Sequence, residues 1–127
     1  MSERTTHSGE SASWRSPSFS ERSVFQMLLN AEFRGRREVG EQLRDAKVFE
    51  LDQDGSLTLR TSGPMAEVAA RIPVELTYLD ADDQKAHVLL HVIDGFVNEL
   101  EFFREDSGHV QSIPSEANLM AVEVNSA

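Results

Sequence analysis

Cysteine is absent from the 127 residues of the chain, and its absence excludes a whole group of chemistries. Without a thiol there is no structural disulfide, no thiolate nucleophile and no cysteine-ligated zinc or iron–sulfur site. Long apolar runs are also missing, because nowhere do about 18 consecutive apolar residues occur, the length that a membrane-spanning helix needs. The N-terminus lacks the apolar stretch of a secretory signal. We therefore expect a cytoplasmic protein that does not bind a membrane.

Motifs of several common enzyme classes are missing as well. The chain contains no G-x-S-x-G nucleophile motif, no phosphate-binding P-loop and no G-x-G-x-x-G dinucleotide motif. The segment from Glu50 to Leu57 imitates the first half of an EF-hand calcium loop, but Thr61 stands where that loop needs a bidentate Glu, and the flanking patterns are those of strands. The sequence therefore predicts neither a cofactor nor a metal ion.

Hydrophobic residues make up 39% of the chain and charged residues 27%, which is typical of a globular domain. The formal net charge is −10, and it is unevenly distributed: residues 1–18 and 19–46 are each neutral, whereas residues 47–127 contain 15 acids and 5 bases. A negative field of this kind repels phosphate backbones and attracts basic groups. We therefore expect no nucleic-acid binding, and a basic protein is the partner that the charge favours.

The first residues differ in composition from the rest. Residues 1–17 are rich in Ser and Thr and have no apolar periodicity. Such a segment buries too little apolar surface to offset the entropy of ordering, so the sequence predicts a disordered tail over 1–17 and a single domain over 18–127. Trp14, the only Trp, lies in this tail and is interpreted either as a loosely packed residue or as one that docks onto the domain or a partner.

Two helices are predicted at the start of the domain. Ser18 and Glu21 have the spacing of a capping box, with a start at Ser20 as the alternative, and Gly35 supplies a stop, so the first helix is expected over about 20–34. A second helix is predicted from the helical spacing of Val39, Leu43 and Ala46.

From Lys47 onward the apolar period changes from about 3.6 residues to 2, which indicates strands. Strand patterns occur around 47–51, 57–59, 71–78, 86–93, 96–104 and 119–124. Helices followed by strands with short, turn-rich connections predict an α+β fold, with two N-terminal helices packed on one face of an antiparallel sheet of about five or six strands.

Asp94-Gly95 has the composition of a type I′ turn, and a two-residue loop would fix the register of the hairpin around it. In that register one face, interpreted as the core face, carries His87, Leu89, His91 and Ile93 with Phe96, Asn98, Leu100 and Phe102. The outer face carries Ala86, Val88, Leu90 and Val92 with Val97, Glu99, Glu101 and Phe103. A β-bulge would exchange some of these residues between the two faces.

The outer face is the predicted interaction surface, because a strand that is apolar on both sides needs a cover on its second side. A basic protein partner or a second copy of the chain would provide that cover. The residues assigned to the surface are Val88, Leu90, Val92, Glu99 and Glu101. Glu99 and Glu101 lie about 7 Å apart along a strand. Two such carboxylates are typical of a solvated face or of a contact to a basic partner, and more rarely of glycoside hydrolysis.

Two histidines on one predicted face raise the question of a metal site. His87 and His91 are four residues apart on a strand, or about 13 Å, too far to share one ion bound at roughly 2.1 Å. In the predicted register His91 lies beside Asn98, where it is interpreted as a satisfied polar pair. The alternative is a general base, because imidazole titrates near neutral pH.

The segment His87 to Val92, followed by Asp94-Gly95 and Glu99 to Glu101, resembles a family of small bacterial domains of unknown function. The segment Arg104 to Asp106 and the predicted helices are similar as well, so the resemblance covers about residues 20–115. It implies the same α+β layout. It implies no activity and no catalytic residues.

The function that these patterns favour is a non-catalytic protein-interaction or regulatory module with an acidic sheet surface. Two alternatives remain open. One is a small hydrolase or isomerase that uses His91 with a nearby carboxylate. The other is a homodimer whose buried sheet face explains the apolar pattern.

Overall fold

The computed structural model of the protein describes residues 14–126. Two helices precede six strands, and all strand pairs are antiparallel. The elements are α1 (Phe19–Leu29), α2 (Arg36–Arg44), β1 (Lys47–Glu50), β2 (Leu57–Arg60), β3 (Val74–Leu79), β4 (Lys85–Ile93), β5 (Phe96–Arg104) and β6 (Leu119–Val124). The predicted α+β class, with both helices N-terminal to an antiparallel sheet, is confirmed. In the described part of the chain no helix combines the length and apolar character needed to cross a membrane.

Helix α1 begins at the capping box that the sequence predicts. Ser18 Oγ accepts the backbone N–H of Glu21 at 3.1 Å, and the Glu21 carboxylate accepts the N–H of Ser18 at 2.8 Å. The helix ends at Leu29, five residues before the expected end. Gly35 does not terminate α1, because it is the residue that opens α2, with φ 88°. A Cβ there would lie 2.9 Å from a side-chain carbon of Val68, which leaves room only for glycine.

The sheet has the strand order β1-β2-β5-β4-β3-β6, and both helices cover the same face of it. Helix α1 buries Val24, Phe25 and Leu28 against this face. Helix α2 buries Val39 and Leu43 there, as its apolar period predicts. Burial of each such side chain contributes about 2 kcal/mol, so the amphipathic helices are held mainly by this contact with the sheet.

The hairpin at Asp94-Gly95 has the predicted turn but not the predicted register. Asp94 and Gly95 have φ angles of 53° and 87°, as a type I′ turn requires, and Val92 pairs with Val97. Beyond that pair the register shifts, so that His91 pairs with Glu99 and Asn98 has no partner. Asn98 is therefore the extra residue of a β-bulge.

This bulge overturns the predicted assignment of β4 to the two faces. Every residue of β4 faces the opposite way from the prediction. Val92 and Val97, between the bulge and the turn, are both buried, and the residue inserted in β5 brings Leu100 to the same face. Val88, Leu90 and Val92 lie on the core face, where they are 0%, 1% and 4% exposed. The prediction that they form an outer interaction surface is wrong. Leu100 and Phe102 occupy the core face as predicted, and Glu99 and Glu101 the opposite face.

The domain begins earlier than the predicted boundary. The N–H and C=O groups of Arg15 pair with Val48 at the outer edge of β1, at 3.0 and 2.8 Å. Trp14 packs edge-to-face on Phe49, with ring centroids 5.5 Å apart, and the Arg60 guanidinium lies 4.3 Å from the centre of a Trp14 ring. Residues 14–17 thus belong to the domain and not to a tail. The rest of the predicted tail, residues 1–13, lies outside the described residues.

A buried glutamine joins helix α2 to the tip of the hairpin. Gln42 of α2 is 0% exposed. Its Nε2 donates to the carbonyl oxygens of Pro64 and Gly95 at 2.7 and 2.8 Å, and its Oε1 accepts the N–H of Val97 at 2.8 Å. Both the NH₂ group and the carbonyl oxygen of the Gln42 amide therefore have backbone partners. The side chain supplies hydrogen bonds to backbone groups near the bulge that no neighbouring strand supplies.

We expect Gln42→Ala to lower the free energy of unfolding by about 2–4 kcal/mol, because the buried N–H and carbonyl groups lose their partner. Gln42→Glu should be at least as damaging, since it keeps the shape but cannot donate. Gln26→Ala on the exposed side of α1 is the matched control and should change stability by no more than about 0.5 kcal/mol. Urea denaturation measures all three; a Gln42→Glu variant as stable as the parent would contradict this role.

Candidate functional site

The face of the sheet turned away from the helices is open to solvent, and it carries most of the polar groups singled out in the sequence. We call it the open face. Its central strands contribute a mixture of carboxylate, imidazole and apolar side chains: Glu75, Thr77, His87, Leu89, His91, Glu99, Glu101 and Phe103. Phe103 is 37% exposed. An exposed aromatic among carboxylates on a rigid sheet is an arrangement suited to binding.

His91 lies at the centre of the open face and is 8% exposed. The bulge places it opposite Glu99 and not opposite Asn98, so the predicted pairing of His91 with Asn98 is wrong. The His91 Nε2 atom lies 2.8 Å from Glu101 Oε1. Its Nδ1 atom accepts the Nε–H of Arg71 at 3.3 Å. His91 is thus a satisfied polar residue as expected, but with other partners.

These contacts determine where the proton of a neutral His91 ring resides. The guanidinium of Arg71 has only donors, so Nδ1 must present its lone pair to it. The ring proton is then on Nε2, from which it is donated to the Glu101 carboxylate. In this arrangement neither ring nitrogen has a lone pair free to take a proton from a substrate.

His87, four residues before His91 on β4, has a different environment. Its Nε2 lies 2.6 Å from a carboxylate oxygen of Glu105, and its Nδ1 lies 3.1 Å from the hydroxyl of Thr77. The ring stacks on Phe103, with centroids 5.0 Å apart and planes inclined by 23°. His87 and His91 therefore have separate partners and do not share one ligand, in agreement with the distance between them along the strand.

Three possible ligand groups do meet at His91. One ligand atom each from His91, Glu99 and Glu101 lies within 4.8 Å of the other two. Sequence reasoning missed this cluster because the regular register puts Asn98 in the place of Glu99. No local composition rule marks the bulge, so no signal in the chain reveals it. Glu75, by contrast, lies on the polar side of the predicted β3 pattern and could have been included.

The surface grooves that we describe lie away from this cluster. One of about 600 Å³ runs between α1 and the loop 113–117, and one of about 290 Å³ lies between the loops 53–55 and 110–113. A third is lined by residues 65–68, Gly95 and the start of α2, and a fourth lies between α1 and α2. His91 and Glu101 line none of the four. The cluster lies on the surface of the sheet, outside all four of these grooves.

A second polar cluster is built around Arg104 at the other end of β5. The Arg104 side chain is 5% exposed, and its guanidinium contacts Asp80 at 3.2 Å and Asp82 at 2.9 Å. It also contacts Asp106, through Nε at 2.9 Å. Asp80, whose side chain is 0% exposed, accepts the hydroxyl of Ser112 at 2.6 Å and so ties the loop after β5 to the sheet. These groups satisfy one another, which identifies the cluster as structural.

The contacts in this cluster lower the pKa values of two of its carboxyl groups, Asp80 and Asp106. Burial by itself would raise the pKa of Asp80, but hydrogen bonds from Ser112, from backbone N–H groups and from Arg104 hold that pKa below its ordinary value. The hydrogen bond from Arg104, with a further one from the Gly108 N–H, lowers the pKa of Asp106 to about 2.

Comparison with known proteins gives one result. A family model described as a domain of unknown function, DUF6984, matches residues 14–114. The chain belongs to this family. The DUF6984 match confirms the resemblance to an uncharacterised family, starts at Trp14, where the described domain begins, and ends before β6. No curated protein and no solved structure matches the chain significantly.

We expect the DUF6984 domain to lose stability in acid through the Arg104 cluster. Asp80 and Asp106 have folded pKa values below those of the unfolded chain, about 3.9. Their contribution is therefore complete above that value and is lost as the pH falls toward about 2. Asp106→Asn should flatten the fall in stability between about pH 4 and pH 2. Denaturation at a series of pH values tests this, with exposed Asp45→Asn as the control; equal slopes for both variants would contradict it.

We also expect the neutral ring of His91 to be the Nε2–H tautomer. Two-bond ¹H–¹⁵N spectra of the labelled protein at mildly alkaline pH distinguish the two nitrogens directly. The Arg71→Ala variant removes the donor to Nδ1 and should permit a mixture of tautomers. An Nδ1–H tautomer in the unaltered protein would refute the arrangement.

Proposed function

We propose that this DUF6984 domain is a non-catalytic interaction module whose open face binds a basic segment of a partner protein. The observation that carries the proposal is a row of side chains that crosses four adjacent strands at one level. In cross-strand order the row consists of Glu101, Leu89, Glu75 and Glu123. Three carboxylates and one apolar residue thus share a strip about 14 Å long, since neighbouring strands lie about 4.8 Å apart.

Two arginines near this row are already engaged with aromatic groups of the domain itself. Arg60 covers Trp14 at the β1–β2 edge. Arg71 contacts His91. Glu99, in the neighbouring level, adds a further carboxylate beside the row. The excess of negative charge in the centre supports a partner that brings Lys or Arg side chains.

Phe103 supports arginine in particular. It is 37% exposed, is held in place by stacking on His87, and lies two residues from Glu101 on the same strand. A guanidinium that stacks on an aromatic ring while it hydrogen-bonds to a nearby carboxylate gains from both contacts. A lysine ammonium group is a compact charge without the flat guanidinium plane that stacks on the ring, so it would bind this surface less well than arginine.

The two alternatives have less support. Catalysis by His91 with a nearby carboxylate has the required pair, His91 and Glu101, but both ring nitrogens are engaged and no described groove reaches them. The homodimer was suggested by an outer apolar face on β4. The residues concerned, Val88, Leu90 and Val92, are covered by the domain's own helices.

We expect a fluorescein-labelled peptide of alternating Arg and Gly to bind the full chain at low salt, and a matching Gln and Gly peptide not to bind. The triple variant Glu75→Gln, Glu101→Gln, Glu123→Gln should weaken binding of the basic peptide by about tenfold or more, because each lost ion contact contributes about 0.5–1 kcal/mol. Fluorescence anisotropy in the presence of EDTA measures both affinities.

The matched control removes the same charge from elsewhere. Glu32, Glu41 and Glu116 are exposed and lie outside the open face, so their triple Gln variant should bind the peptide within about twofold of the parent. Equal losses in the two triple variants would show attraction by net charge alone and would overturn the proposal, as would absence of binding by the unaltered protein.

A further inference from the structure

We propose that His91, Glu99 and Glu101 bind one divalent transition-metal ion, with Zn²⁺ as the reference ion. The proposal goes beyond the binding of a basic partner. It assigns a metal ion to three side chains of the open face, and the protein would bind that ion without any partner protein. One imidazole nitrogen and two carboxylate oxygens are donors that zinc accepts.

Distances between the donor atoms carry the proposal. Ligands bound at about 2.0–2.2 Å from one ion are separated from each other by about 3–4 Å. In the protein the candidate atoms lie within 4.8 Å of one another, and the pair His91 Nε2 and Glu101 Oε1 is 2.8 Å apart. Side-chain movements of less than about 1 Å would bring all three into coordination, which is within the range of ordinary rotamer adjustment.

The scaffold supports such a site. All three residues lie on β4 and β5, the two central strands of the six-stranded sheet. The bulge at Asn98 turns Glu99 toward His91, and bulges commonly re-aim a side chain beside a functional site. Three protein ligands leave further positions of the ion open to water, as in metal sites that exchange a ligand.

Electrostatics also favour a cation at this place. Ligand atoms of Glu99 and Glu101 lie within 4.8 Å of each other, so two carboxylates are held close together beside the buried ring of His91, which is 8% exposed. Arg71 is the cation that contacts His91 there. A doubly charged ion coordinated at this point would neutralise both carboxylates directly.

Arg71 must give way when the ion binds. Coordination through His91 Nε2 uses the lone pair of that nitrogen, so the ring proton must reside on Nδ1. A protonated Nδ1 has no lone pair left to accept the Nε–H of Arg71, and that hydrogen bond is lost. Arg71 is an exposed residue and is free to turn toward solvent. The arginine therefore competes with the ion, and its removal should strengthen binding.

His87 provides an internal comparison. It lies on the same strand and the same face, and it also pairs with one carboxylate, that of Glu105. Among the described residues, however, the grouping of three potential ligands is found only at His91. A histidine–glutamate pair without the third ligand should not hold an ion of comparable affinity.

The test uses the full chain without an affinity tag, stripped with EDTA and returned to chelator-free buffer. Isothermal titration with Zn²⁺ should give one ion per chain, and Co²⁺ should develop a visible absorption band of a coordinated ion. We expect His91→Ala to weaken Zn²⁺ binding by at least tenfold, and Glu99→Gln and Glu101→Gln each to weaken it. His87→Ala and Glu105→Gln should leave affinity within about twofold, and Arg71→Ala should increase it.

Three results would overturn the proposed metal site. The first is no Zn²⁺ binding by the unaltered protein, the second is Zn²⁺ binding by His91→Ala as tight as that of the unaltered protein, and the third is a loss of Zn²⁺ affinity in His87→Ala equal to that in His91→Ala. Circular dichroism and thermal unfolding in EDTA identify any variant that fails to fold, and Glu99→Gln, which removes no core contact, then decides the question. The double variant Glu75→Gln, Glu123→Gln separates the two proposals, since it should weaken the basic peptide and leave Zn²⁺ affinity unchanged.

Discussion

The architecture of the domain depends on how the tip of the β4–β5 hairpin is held, and Gln42 holds it. A single side-chain amide bonds to the loop at Pro64, to the turn at Gly95 and to the strand at Val97. Three chain segments and α2 are thereby joined at one buried point. Because the irregular backbone at the bulge has a fixed partner there, the bulge is stable, and the positions of the side chains further along β5 follow from it.

The Asp94-Gly95 turn is also held by the loop that contains Met65 and Ala66. Gly95 accepts a hydrogen bond from the N–H of Ala66 as well as from Gln42. A Cβ on Gly95 would lie 2.1 Å from a side-chain carbon of Met65, and its φ of 87° is one that other residues rarely adopt. The backbone conformation favours glycine at this position, and any larger residue would also have to displace the exposed side chain of Met65. The dipeptide Asp94-Gly95 was thus readable from sequence, whereas the loop packed against it was not.

Local rules predicted what depends on neighbours in sequence. The capping box of Ser18 and Glu21, the buried stripe of Val39 and Leu43, and the type I′ turn each arise from contacts within a few residues. What failed depends on partners far along the chain. The bulge is stabilised by Gln42, 55 residues before Val97, and Trp14 is ordered by Phe49 and Arg60. The candidate site combines both cases: Glu99 and Glu101 were placed on the right face, while His91 reaches them only through the bulge.

The unpaired Asn98 has a consequence for changes in chain length. Its removal would bring Glu99 next to Val97 and leave both of their existing cross-strand pairs in place, so the two faces of β5 would alternate without interruption. Removal of any single residue from Leu100 to Phe103 would instead carry buried side chains into water and charged ones into the core. A deletion at Asn98 would therefore keep the buried side chains of β5 on the core face and Glu99 opposite His91.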